Sequence, residues 1–191
     1  IKPAAQKKRV MIAGGGPAAM EAARVAALRG HEVTIYDKAA QLGGLLPIAA
    51  VVKDHERESL LGLIRYYRGE FAKLGVKVKL GRGVDAALVA KIKPDVLILA
   101  TGGKNAVPRI PGLDNPKVID STSLHRKLKL ALRVFGPDLL GRLTKTYMPV
   151  GKNVVVMGGG VQGCQLAEFL VKRGRSVTIV ETGQVLGYGL P

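Results

Sequence analysis

The sequence predicts an α/β fold: two parallel-sheet βαβ units in tandem, the second cut short. Three observations predict it. Residues 9–44 recur within 153–189 with an offset of 144. Within each copy short apolar runs flank a helical segment. Between the copies stands a further strand-like run, DVLILA at 95–100. The chain has 191 residues, enough for one full domain or one domain and part of a second. At 47% apolar it can build a packed core, which excludes wholesale disorder.

Each element follows in order. Residues 10–13 and 154–157 are apolar and rich in β-branched side chains, as buried strands are. Both run into three glycines, at 14–16 and 158–160. Helices follow over about 17–29 and 161–173, and Gly30 and Gly174 sit where a helix-ending glycine belongs. A second strand closes each copy on an acid, Asp37 or Glu181. Leu60, Ile64, Tyr67, Phe71 and Leu74 recur at helical spacing, predicting a core-facing helix over 57–74. Residues 76–80 alternate apolar and basic, as a half-buried strand does. Residues 95–100 predict a buried strand running into Thr101-Gly102-Gly103, and 81–83 with Pro108, Pro111 and Pro116 mark turns. Residues 124–152 hold seven Lys+Arg and one acid, Asp138. Leu124, Leu128, Ala131 and Phe135 form a stripe there, predicting a basic amphipathic helix that covers an interdomain seam. A membrane surface or partner subunit is the alternative cover. The expected organisation is therefore a first domain over 1–123, a basic connection over 124–152 and the start of a second domain over 153–191.

The glycine spacing carries the chemistry. It is G-x-G-x-x-A at Gly14, Gly16 and Ala19, and G-x-G-x-x-G at Gly158, Gly160 and Gly163. The first glycine permits a tight turn, the second lets a pyrophosphate approach the backbone, and the third packs helix on strand, where Ala is tolerated. The helix N-terminus offers free N–H groups and a positive dipole end to phosphate. The acid lies 18 positions after the third small residue in both copies. There it can accept two hydrogen bonds from a ribose diol, each charge-assisted bond contributing roughly 1.5–3 kcal/mol, and it repels a 2′-phosphate. One such motif is weak; strand, turn, helix, strand and acid in order, twice, is not.

Composition excludes other classes. One cysteine, Cys164, allows no internal disulfide, Cys-x-x-Cys pair or Cys-rich metal cluster in this chain, and three scattered histidines suggest no metal site. Cys164 reads as a small buried residue. The longest uncharged stretches are too short and glycine-rich to cross a membrane. The net charge of +16 suits anions in general, but with no Trp and eight Phe+Tyr there is no stacking platform for nucleic acid. A nucleic-acid or membrane adaptor is the weakest of the functional classes. The chain begins with Ile and ends just after the second strand of its second motif, and it is expected to be a fragment of a longer polypeptide.

Taken together, GGGPAAMEAA at 14–23, QLGGLL at 41–46, LIRYYR at 63–68, DVLILATGG at 95–103 and MGGGVQGCQLAEFL at 157–170 resemble flavoproteins with two Rossmann-like dinucleotide-binding domains. More narrowly, the chain resembles the C-terminal half of the iron–sulfur flavoenzymes related to old yellow enzyme: 2,4-dienoyl-CoA reductase, 2-enoate reductase and trimethylamine dehydrogenase. That resemblance implies FAD at the first motif and NADH at the second. Gly14, Gly16, Pro17, Ala18 and Ala19 would wrap the FAD pyrophosphate, and Asp37, with Lys38 beside it, would hold the adenosine ribose. Gly43, Gly44 and Leu45 would run along the flavin side, Arg57 would touch phosphate or ribitol, and Val84 would meet adenine through its backbone. Ala100, Thr101 and Gly102 would approach FAD where their strand ends. Gly158, Gly160, Val161, Gln162, Gly163 and Glu181 would line the nicotinamide cofactor site. Thr182 and Gly183 offer no charge to a 2′-phosphate, so NADH is expected over NADPH; Arg175 is the counter-candidate, or a solvated turn residue.

No side chain need act as an acid or base. FMN and an iron–sulfur cluster would belong to a missing N-terminal part. The expected partners are a nicotinamide cofactor and the rest of a cytoplasmic parent polypeptide, not nucleic acid or a membrane, with a homo-oligomer left open. A structural adenine-nucleotide module, with ADP at the first motif, is the alternative.

Overall fold

A computed structural model describes residues 1–53, 56–103, 110–148 and 150–188. Pro108 and Gly189 lie outside the described residues. The chain divides into two compact units, residues 1–47 with 58–122, and residues 48–57 with 123–191.

The first unit is built on a parallel sheet of β1 (Arg9–Ala13), β2 (Glu32–Asp37), β3 (Lys77–Leu80) and β4 (Val96–Leu99), in the order β3-β2-β1-β4. Val10 pairs with Val33 on one side and Val96 on the other. Alternate side chains of a strand point to opposite faces. Val10 and Ile12 accordingly pack on one face, with Ala19, Met20 and Ala23 of α1 (Pro17–Leu28) and Tyr67 and Phe71 of α3 (Arg57–Leu74). Met11 points to the other face, where Tyr36 and Leu88 of α4 (Ala86–Ile92) meet it. Helices on both faces make the α/β layering that a parallel sheet requires. Tyr67 reaches beyond the apolar contact: its hydroxyl donates to Glu21 at 3.0 Å.

One expectation is corrected and two helices are added. The strand over 95–100 is not buried: Val96 and Ile98 pack on the core, but Leu97 and Leu99 are exposed. Among the described residues it is the last strand of the sheet, and α4 covers Met11 and Tyr36 rather than β4. Helix α4 was not evident in the sequence, although Asp85 caps it by accepting from the Leu88 N–H at 2.8 Å. Nor was α2 (Leu46–Val52), whose apolar run has no polar face to give a helical period.

The second unit has a two-stranded parallel sheet, β5 (Asn153–Met157) and β6 (Ser176–Val180), with α5 (Ser121–Thr146) and α6 (Val161–Val171). Its core gathers Val156, Phe169, Leu170, Leu132 and Leu140 with Ile48 and Val51. Val155 and Met157 face the other way and are 64% exposed, so β5 is not the buried strand its composition predicts. The stripe expected on α5 also shifts. Leu128 and Ala131 pack inward, but Leu132 is buried and Phe135 is exposed. Just past these residues the helix kinks: Gly136 has φ 67 and ψ 169, and Pro137 follows it. No helix among the described residues is long and apolar enough to cross a membrane.

Candidate functional site

In the first unit the strand order reverses at β1: β2 and β3 lie on one side and β4 on the other. Ligands of such sheets bind beyond the carboxyl ends of the strands at that switch point. Gly14 stands there, held by a hydrogen bond from its N–H to the Tyr36 carbonyl at 2.8 Å. Its φ is +117, and a Cβ on it would run into the Ala100 carbonyl oxygen. Ala100 is drawn in by donating its N–H to the Ala13 carbonyl at 2.8 Å. So Gly14 is required by the fold, and it brings Ala100 and Thr101 onto the turn.

Gly15 donates to Asp37 Oδ2 at 2.5 Å, and Asp37 Oδ1 accepts from the Ala39 N–H at 2.6 Å. The carboxylate is thereby aimed by backbone alone. Arg82 and Gly81 donate to the carbonyls of Asp37 and Ala39, each at 2.9 Å. This draws the 81–84 loop beside Asp37 and Lys38, with Val84 packed on Met11, Tyr36 and Leu88.

Gly16 differs from its neighbours. It is the extended N-cap of α1 (φ −80, ψ −178), and a Cβ there would meet only the Gly44 Cα, at 3.9 Å. That is ordinary contact, so the fold itself does not demand glycine at 16. The absent methyl leaves bare backbone at a helix N-terminus. Pro17 has no N–H, so Ala18 and Ala19 carry the first donors. Gly44 faces Gly16 so closely that a Cβ on it would stand 3.0 Å from the Gly16 Cα. Gly43 fixes this approach by donating to the Gly15 carbonyl at 2.8 Å, and Leu45 beside it is exposed. Gly102 lies past the end of β4, and among the described residues nothing stands within 4 Å of where its Cβ would be.

The second unit repeats the arrangement. Gly158 donates to the Val180 carbonyl at 2.8 Å, and Gly159 donates to Glu181 Oε2 at 2.5 Å. Glu181 Oε1 also accepts from the Gly183 N–H at 2.9 Å, the Thr182 N–H at 2.7 Å and the Thr182 hydroxyl at 3.1 Å. The Gly183 and Gly159 N–H groups, foremost, hold its carboxyl down from 4.5 to about 2. Gly160 is the extended N-cap of α6, which opens with Val161 and Gln162. A Cβ on Gly163 would overlap the Gly158 carbonyl oxygen. Alanine fits the matching place at 19, where it is fully buried, but has no room at 163. Cys164 is half-buried rather than buried, its Sγ 3.3 Å from the Gly159 carbonyl oxygen.

Two arginines lie elsewhere. Arg57 belongs to the second unit and pairs with Asp138 at 2.7 Å, its guanidinium against Gly141. Arg175 is half-buried and donates to the Met148 carbonyl at 3.4 Å, so it is not a solvated turn residue. It precedes β6 and Glu181 follows it, which separates them by the five-residue strand, about 20 Å from one flank to the other.

Past the two acids the repeat also holds in its contacts. Gly187 donates to the Gly159 carbonyl at 2.6 Å, as Gly43 does to Gly15. Leu186 lies against Gly159, as Leu42 lies against Gly15. The same offset of 144 relates these pairs, which lie within the repeat read from the sequence.

Residues 8–189 match the family described as pyridine nucleotide-disulphide oxidoreductase. The chain is 37% identical over 181 residues to the bilirubin reductase of Mediterraneibacter gnavus, matching 95% of this chain and 25% of that protein. It is 37% identical over 185 residues to the NADH oxidase of Thermoanaerobacter brockii, again 95% of this chain and 25% of that protein. A solved structure of 2-naphthoyl-CoA reductase with 2-naphthoyl-CoA superposes with a TM-score of 0.76 at 36% identity, covering 98% of this chain and 25% of that one. The chain thus spans about a quarter of the length of these relatives.

Proposed function

The chain belongs to the pyridine nucleotide-disulphide oxidoreductase family, and on that premise we propose that it is an NADH-to-FAD hydride-transfer module of a larger flavoenzyme. The observation that carries this reading is the second glycine of each turn. Gly16 and Gly160 are extended N-caps where the fold leaves room for a methyl group or requires only a small adjustment, yet both lack one. A bare helix N-terminus beside a backbone-aimed carboxylate is what a pyrophosphate and its adjoining ribose need.

When bound, the nicotinamide supplies a hydride and the flavin accepts it. The chain's own residues bind and orient. Gly14, Gly16, Pro17, Ala18 and Ala19 receive the FAD pyrophosphate, and Asp37 and Lys38 its adenosine ribose. Gly43, Gly44 and Leu45 lie toward the flavin, Val84 toward adenine, and Ala100, Thr101 and Gly102 along the turn. Gly158, Gly160, Val161, Gln162, Gly163 and Glu181 receive NADH. Glu181, ionised at neutral pH, accepts from a ribose diol and repels a 2′-phosphate; Arg175 stands at the far end of the strand, which supports NADH over NADPH. Arg57, already paired with Asp138, is the weakest member of the set. One cysteine leaves this chain without the dithiol that disulfide reduction requires.

In this reading residues 1–123 are the FAD-binding domain, 124–152 the connection, and 153–191 the start of the NAD(H)-binding domain. The parent enzyme is cytoplasmic and reduces an unsaturated organic substrate such as an enoate or enoyl-CoA through an iron–sulfur cluster and FMN. Similarity to reductases of bilirubin and 2-naphthoyl-CoA supports this. The test is the small molecule released on denaturing the purified protein. FAD by mass and spectrum, bleached by NADH before denaturation, is the expected result. ADP in its place would establish the structural-nucleotide alternative.

A further inference from the structure

The two turns match in backbone, and one of their side-chain differences falls against the second glycine. At the offset of 144, Gly44 corresponds to Tyr188. In the first turn Gly44 faces Gly16, and neither brings a side chain to the approach. In the second, the Tyr188 ring stands over Gly160: a Cβ there would lie 3.4 Å from the ring Cζ and 3.6 Å from the hydroxyl oxygen. The ring therefore covers the backbone surface on which a pyrophosphate would rest. Gly187 anchors the loop through its bond to Gly159, which fixes the Tyr188 backbone and leaves the side chain to move. Tyr188 is 63% exposed, and an exposed side chain changes rotamer in picoseconds to nanoseconds.

We propose that Tyr188 sets the affinity of the second turn, its ring competing with the dinucleotide for the face of Gly160 and turning aside when the pyrophosphate enters. The first turn, with glycine at 44, has no such competitor and holds its ligand tightly. The second exchanges its ligand at each turnover. This rests on the assignment of NADH to the second turn. Apparent affinity falls by the fraction of time the competent state is populated. A ring that covers Gly160 most of the time weakens binding several-fold.

The test is calorimetric titration of the purified protein with ADP-ribose and with NADH. The comparison is between wild type, Tyr188→Ala, Tyr188→Phe and Glu181→Ala. Tyr188→Ala is expected to bind both about three- to tenfold more tightly. Tyr188→Phe, which keeps the ring, is expected to match wild type. Unchanged or weaker binding by Tyr188→Ala overturns the proposal, while loss of binding in Glu181→Ala would still uphold the site. If neither wild type nor Tyr188→Ala binds either probe, the assignment of the second turn fails as well.

Discussion

Gly16, the second glycine of its motif, and Gly163, the third of the other, are glycine for different reasons. At 163 a methyl group would collide with the Gly158 carbonyl; at 16 it would make ordinary contact. Gly163→Ala should therefore lower the thermal midpoint of the apoprotein, whereas Gly16→Ala should leave it nearly unchanged. Gly16→Ala should instead lower the FAD retained on purification, since one lost bond to a charged group costs about 1.5–3 kcal/mol. Asp37→Ala should also weaken FAD retention, and Glu181→Ala should weaken NADH binding while sparing FAD. Glu181 adds a pH signature. Its carboxyl is held near 2 in the folded protein against an ordinary 4.5. A depressed carboxylate contributes stability above its unfolded value and loses it as pH falls through the folded one. The thermal midpoint of wild type should thus exceed that of Glu181→Gln above pH 4.5, with the difference closing toward pH 2. Arg173 shows what a repeat conceals. It aligns with Arg29, which is exposed, yet it is buried, with its guanidinium 3.5 Å over the Phe169 ring and bonded to Thr144 at 3.0 Å.

At the scale of elements, β1, α1, β2 and α3 were legible because each carries a strong period and a terminating signal. Tyr67 and Phe71 mark the face of α3, and glycine follows α1. Helix α5 was legible only in part. Its apolar positions predict a stripe running through Phe135, but Leu132 is buried and Phe135 exposed, and past the break at Gly136 the second segment buries Leu140. Gly136 is in a region of backbone space open essentially to glycine. Gly136→Ala should cost about 1–3 kcal/mol in chemical denaturation, by straining the kink or by straightening the helix and pulling Leu140 from its contacts.

At the scale of the molecule, the charge of +16 predicts weak, salt-sensitive attraction to any polyanion, whereas dinucleotide binding depends on shaped backbone. DNA retention on a column should disappear with added salt while the FAD content holds; retention that resisted salt would favour a nucleic-acid role. The sequence alone determined the two βαβ repeats, the glycine turns and the acid that ends each second strand, because these depend on local backbone demands written in consecutive residues. Only the tertiary structure decided that β4 ends the sheet among the described residues, that residues 48–57 join the second unit, and that a tyrosine covers one turn where a glycine leaves the other bare. Those outcomes depend on which distant segments come to lie side by side, and no periodicity in the chain encodes that.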